Sequence, residues 1–255
     1  MKTLALLSLL VAPFVVGCSG SSSSSDSSSL HSANVPTNQM KASFSVQSGD
    51  STVKVFAAVF SKDAKGATRV ITLDQGDSFV VTVAGSAPVT LTMAPSDDDG
   101  HYSTTLPLAT TAEDLTIALL RGSGQVSAPN SFVHLAAPFT MTSSSSDTVK
   151  KGSSIPFNLD PVPASQASLK FEVFGPCLAD TGNDNLATPA IDGEGNGAVD
   201  TSKFNLKDFS SCELQLYIDA LSVGTLDSAF AGGLTGLDQD LESEQRRAIV
   251  RTLTP

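Results

Sequence analysis

Lys41-Ala42-Ser43-Phe44-Ser45-Val46, then Gln47-Ser48-Gly49-Asp50, then Thr52–Phe60 make up the stretch that decides the fold. From Met40 onward apolar side chains recur at every second residue, the period at which a strand alternates between its two faces. The turn-rich Gln47–Asp50 segment breaks the pattern, so two strands joined by a turn are predicted.

The same pattern extends along the chain. Thr68–Leu73 and Asp77–Val83 flank Asp74-Gln75-Gly76, and Val89, Leu91 and Met93 alternate with threonines as in a half-buried strand. Asp97-Asp98-Asp99-Gly100 turns the chain into His101–Leu106. Leu115, Ile117 and Leu119 alternate again before Gly122-Ser123-Gly124 leads into Val126–Leu135. Short strands spaced by roughly ten residues predict an antiparallel β-sandwich of immunoglobulin-like type. Ala137-Pro138 opens a second run, with Phe139–Thr142, the Ile155-Phe157-Leu159 row, and Leu169, Phe171 and Val173 facing away from Lys170 and Glu172. Leu214, Leu216 and Ile218 follow, and Arg247–Leu253 offers a last strand. Asp238–Ile249 fits either a short helix or a strand end. Long loops are expected at Leu178–Ala198 and Asp227–Ser243. The chain is therefore predicted to be all-β, with one sandwich over 39–137 and a second over 138–255. Immunoglobulin hallmarks are sparse: there is no tryptophan, and Tyr217 follows Cys212 instead of preceding a cysteine by two.

Ahead of the sandwiches lies a different kind of sequence. Lys2 is followed by the apolar run Thr3–Val16, the charged and hydrophobic parts of a secretory signal and too short for a bilayer core of roughly 30 Å. The run ends in Val15-Val16-Gly17-Cys18, which resembles the lipobox of bacterial lipoproteins. The resemblance covers Met1–Cys18 only. It implies removal of residues 1–17, a diacylglycerol on the Cys18 thiol, and stable membrane attachment through two or three acyl chains. Ser19 in place of aspartate implies, for Gram-negative members of that class, delivery to the outer membrane. The other reading is an ordinary signal peptide that happens to contain a cysteine. Residues 18–38, rich in serine, read as a flexible tether, with His31 a solvated bystander.

The chain carries a formal charge of −11, and −12 once Lys2 is removed with the leader. That charge repels nucleic acid and anionic headgroups, so membrane contact is expected through lipid and no nucleic-acid partner is expected. With Cys18 lipidated, Cys177 and Cys212 remain. In an oxidising compartment they are expected to form a disulfide stapling the loop between them, with free thiols or a metal pair as the alternative.

Ile191-Asp192-Gly193-Glu194-Gly195-Asn196-Gly197 places oxygen donors at alternate positions with glycine sixth, as in the first half of a calcium loop. Asp192, Glu194, Asn196 and Asp200 are the candidate calcium ligands, with Asp180 and Asp184 as remote ones. Against that reading, the twelfth position is Lys203, where an EF-hand needs a glutamate; a solvated glycine-rich loop is the alternative. Asp97–Asp99 reads as a charged turn. Hydrolytic signatures are thin: there is no G-x-S-x-G, and His101 and His134 read as structural or surface residues. The expected protein is thus a lipid-anchored, non-enzymatic envelope protein that binds an envelope or extracellular protein. A calcium-stabilised adhesion-type module comes second and an envelope hydrolase third.

Overall fold

A computed structural model describes residues 30–49, 51–93, 100–107, 113–122, 124–163, 168–179, 183–185, 189–230 and 240–255. Cys18, the serine run that follows it, the Asp97–Asp99 turn and Asp180 lie outside the described residues. The strands are β1 (Leu30–His31), β2 (Lys41–Ser48), β3 (Thr52–Lys62), β4 (Thr68–Thr72), β5 (Ser78–Val83), β6 (Val89–Thr90), β7 (Thr92–Met93), β8 (Tyr102–Pro107), β9 (Glu113–Leu120) and β10 (Ala128–Leu135). They continue as β11 (Thr140–Thr142), β12 (Thr148–Lys150), β13 (Ser154–Asp160), β14 (Leu169–Phe174), β15 (Asn183–Asn185), β16 (Asn196–Asp200), β17 (Cys212–Val223) and β18 (Asp240–Thr254). The protein is all-β and sandwich-like, as the alternation predicts. Asp238–Ile249 contributes strand, not helix, from Asp240 on.

One long sheet runs in the order β1-β4-β3-β2-β18-β17-β14-β15, with β8 on β3, β7 on β8 and β12 on β18. A second sheet, β10-β9-β5-β6, closes over one half of it and a third, β11-β13-β16, over the other. Two cores result. Phe44, Phe79, Ile117 and Val133 belong to the first, Ile155, Phe171, Leu178 and Leu216 to the second. Packing apolar faces together in this way is what a sheet with one greasy side must do to leave water.

The two halves are not independent in their construction. β18 pairs with β17 from Glu242 to Leu253, while its first residues pair in parallel with β2 and its last with β12. Leu241 lies in the first core, and Ile249 and Leu253 in the second. Phe230, from the segment before β18, meets Phe44 edge-on at 6.0 Å in the first core. Most pairings are antiparallel; β1–β4, β2–β18 and β12–β18 are parallel, which requires the chain to return from a distance instead of turning on itself.

Two expectations are corrected. The tether expected over 18–38 ends earlier, because from Leu30 the chain is part of the fold: β1 pairs with β4, short 3₁₀ turns cover Ser32–Asn34 and Thr37–Gln39, and Ser32, Val35 and Thr37 are buried. His31 is accordingly no bystander; its Nδ1 sits 3.0 Å from Asp74 Oδ1. The Val89-Leu91-Met93 row, read as one half-buried strand, is split between two sheets, β6 pairing with β5 and β7 with β8. Leu91, at the crossing, is the buried member, and Val89 and Met93 are exposed.

Candidate functional site

The predicted disulfide is present. Cys177, just past the end of β14, and Cys212, the first residue of β17, are bonded with their Cα atoms 5.9 Å apart. Both sulfurs sit in the second core, and the segment between them is tied further by Lys207 N–H donating to Cys177 O at 2.8 Å and Ala179 N–H to Asn205 O at 2.7 Å. The staple thus fixes how the connection between β14 and β17 lies on the core.

The acidic glycine-rich loop has a structural use for its oxygens. Asp192 Oδ1 accepts from the backbone N–H groups of Glu194 and Asn196 at 2.9 and 2.8 Å, and the Asn196 amide donates to Asp192 Oδ2 at 3.1 Å. These bonds, that from the Asn196 side chain foremost, hold the Asp192 carboxyl below its ordinary pKa. The turn docks on β13 because Gly195 has φ +87° and a Cβ there would lie 2.1 Å from Leu159 O. Asp200 is engaged elsewhere: its carboxylate takes the Ser202 hydroxyl and N–H at 2.6 and 2.9 Å, which lowers its pKa and caps the turn at Thr201–Lys203. Asn196 and Asp200 are the two ends of β16, about 13 Å apart at ~3.3 Å per residue. The fold therefore does not gather Asp192, Glu194, Asn196 and Asp200 round one point. Asp184 lies on β15 across from Val173, and among the described residues no group of His, Cys, Asp and Glu is placed to hold a metal ion.

The most organised charge cluster joins residues far apart in the sequence. Arg246 on β18 forks onto Asp219 of β17, Nε to Oδ1 at 2.7 Å and a terminal nitrogen to Oδ2 at 2.8 Å. The same nitrogen reaches Glu172 Oε2 on β14 at 3.0 Å. Glu244 Oε1 lies 3.1 Å from Nε, Lys170 Nζ lies 2.6 Å from Glu172 Oε1, and the guanidinium stacks over the Tyr217 ring at 4.9 Å. Asp219 directly opposes Arg246 in the register, so the pair is a cross-strand contact of the kind that specifies pairing. Burial, and then the Asp219 charge, raise the pKa of Glu244. Hydrogen bonding to Asp219 raises that of Arg246. Each charge is satisfied by a neighbour, and the cluster joins three strands. The sequence showed Lys170 and Glu172 facing outward but gave no sign of Arg246 as their partner.

This cluster lies on the outward face of the long sheet. β18 pairs Glu242 with Ser45 and Glu244 with Gln47, so the face continues across β2 to β3. There Ser43, Ser45, Gln47, Phe56, Phe60 and His101 line a shallow groove of about 300 Å³. Lys54 Nζ sits 4.5 Å over the Phe56 ring, and the Phe60 and His101 rings meet at 6.5 Å. His134, on the outer face of β10, pairs with Asp114 at 2.8 Å, both exposed.

No protein-family model matches the chain. No curated protein matches it. Among solved structures it is similar to a crystal structure of a Salmonella alpha-2-macroglobulin mutant, at 13% identity and a TM-score of 0.24 over 88% of this chain and 15% of that one. The chain thus spans a small part of that protein's length, and a likeness of this degree carries no argument.

Proposed function

We propose that this chain is a lipid-anchored protein of the cell envelope, carried on the outer membrane of a Gram-negative bacterium, whose β-sandwich body is a non-enzymatic protein-binding or structural module. The observation that carries the reading is the division of labour among three cysteines. Cys18 ends the lipobox-like Val15-Val16-Gly17-Cys18, while Cys177 and Cys212 are bonded inside the second core. A buried structural disulfide suits an exported protein and not one held in a reducing cytosol. The half-exposed aromatic and hydroxyl groups on β2 and β3 supply a surface of the mixed character that protein partners use, apolar with polar groups set between. The charge cluster beside it is consumed in pairing its own strands, which favours a binding or structural role over catalysis.

Two measurements test this. Cys18→Ala is expected to move the protein from the membrane to the soluble fraction and to abolish labelling by a radioactive fatty acid; retention of either signal refutes the anchor. Crosslinking in intact envelopes is expected to enrich a protein partner with the wild-type chain and to lose it with Phe60→Glu. Equal yields from the two would remove the β2–β3 face from the binding reading.

A further inference from the structure

β1, β4, β2 and β18 all point the same way. β1 is parallel to β4, β4 and β2 are each antiparallel to β3, and β2 is parallel to β18. Following the register across the sheet, Leu30 stands level with Ile71, Val59 and Ala42, which is the level at which β18 begins beside Ser43. The chain therefore enters the fold at one end of the long sheet, beside the β3–β4 turn at Asp63–Ala67. From that level β18 runs 15 residues, about 50 Å at ~3.3 Å each, into the second core. At its far end lie Leu253 opposite Cys212, Lys150 beside Thr254, and the Lys151-Gly152 turn held to Thr201.

The direction of entry is fixed by a buried clamp. Arg121 has no exposed side-chain surface and pairs with Asp77 at 2.7 Å. Its guanidinium donates to Ser32 O at 2.6 Å, to Val35 O at 3.3 Å and to Thr37 Oγ1 at 2.9 Å. Thr37 Oγ1 in turn donates to Val126 O. Asp74 captures the same strap from the other side, accepting from Ala33 N–H at 2.7 Å and from Ser32 Oγ at 3.3 Å, while its own N–H donates to Ser32 Oγ at 2.8 Å. A strap held at this many points does not act as part of a leash. The described chain therefore begins at that end, with Leu30.

We infer that the molecule stands on the membrane with the β3–β4 end of its first sandwich toward the bilayer, and presents the disulfide-stapled end of its second sandwich outward. The inference rests on Cys18 being the anchor. Roughly 12 residues separate Cys18 from Leu30, a reach of at most ~40 Å at 3.3–3.6 Å per residue. The outward end then lies a further ~50 Å beyond the entry level, the length of β18.

Energy transfer to the membrane surface tests the orientation. The full-length lipidated chain is purified from membranes with Lys65→Cys, in the β3–β4 turn, or Lys151→Cys, in the β12–β13 turn. Both are exposed and neither touches the native disulfide. Each is labelled with a maleimide donor and reconstituted into phosphatidylethanolamine–phosphatidylglycerol vesicles carrying an acceptor on the headgroups. With the two positions ~50 Å apart in height, transfer from position 65 should exceed that from position 151 severalfold. Equal or reversed transfer in protein that floats with the vesicles overturns the orientation and leaves the anchor standing. Protein that fails to float overturns the anchor and the orientation with it.

Discussion

Replacing Arg121 by methionine probes the clamp most directly. The substitution keeps an unbranched apolar stem but deletes a guanidinium with no solvent exposure. It strands the Asp77 carboxylate, whose remaining described partner is the Gly122 N–H at 2.6 Å; it takes the described donors from the Val35 carbonyl and leaves the Ser32 carbonyl only the Val35 N–H at 3.1 Å. Breaking a buried ion pair from one side costs about 3–5 kcal/mol, because the partner charge stays buried without compensation. Against a total stability of about 5–15 kcal/mol, that is a large fraction. With a urea slope of ~3 kcal/mol per molar the midpoint should fall by ~1 M or more. Asp77→Asn alone should cost somewhat less, since the guanidinium keeps its carbonyl partners. The double variant should be at least ~1.5 kcal/mol more stable than the sum of the two losses, as contacting members of one network couple. Hydrogen exchange gives the local readout. The Ala33 N–H, held by Asp74, and the Met40 N–H, held by Thr37 O, should lose protection before the β9 amides do. A loss below ~1 kcal/mol for Arg121→Met, or strict additivity in the cycle, would refute the claim that this residue fixes the strap.

Gly195→Ala should destabilise by more than ~2 kcal/mol, since it combines a left-handed backbone with a Cβ 2.1 Å from Leu159 O; a thermal midpoint near wild type would count against the docked turn. Gln245 is buried on β18, and its amide has no hydrogen-bond partner among the described residues. Gln245→Met should therefore raise stability by about 1 kcal/mol, measured by calorimetry, and a loss of that size would mean the amide is satisfied. Acid should loosen the strap. The Asp74 pKa is lowered, chiefly by the Ala33 N–H, so its contribution is complete above the usual carboxylate pKa and is lost as pH falls through the lower folded value. Asp74→Asn should flatten the pH dependence of Ala33 exchange in that range, and an unchanged profile would exclude the residue.

The strands were legible because their signal is local. In Leu169-Lys170-Phe171-Glu172-Val173 the alternation alone tells which side chains seek the core, and the structure buries Leu169, Phe171 and Val173 together in the second core. The disulfide was legible for a different reason, since removing Cys18 from the count left a single pair. The acidic loop was ambiguous by nature. Oxygen donors at alternate positions serve an Asx turn as readily as a cation, and the turn that Asp192 makes with Glu194 and Asn196 is visible only in the folded chain. The strap is not legible in the sequence because Ser32, Asn34 and Thr37 carry the composition of a linker. The burial of Ser32 and Thr37 depends on Asp74 and Arg121, some 40 and 90 residues away. No feature of Leu119-Leu120-Arg121-Gly122 announces that role.

The sequence by itself determined the all-β character, the turns between strands and the pairing of Cys177 with Cys212, because alternation and counting need no knowledge of distant neighbours. The tertiary structure decided which strands meet. It placed β18 between β2 and β17 so that one strand serves both cores, set Arg246 against Asp219 and Glu172, and fastened Leu30–Gln39 to the first sandwich at the end opposite the second. Those choices rest on pairings between residues far apart in the chain. Their free energy comes from apolar faces and buried charges that find partners only once the sheets have closed.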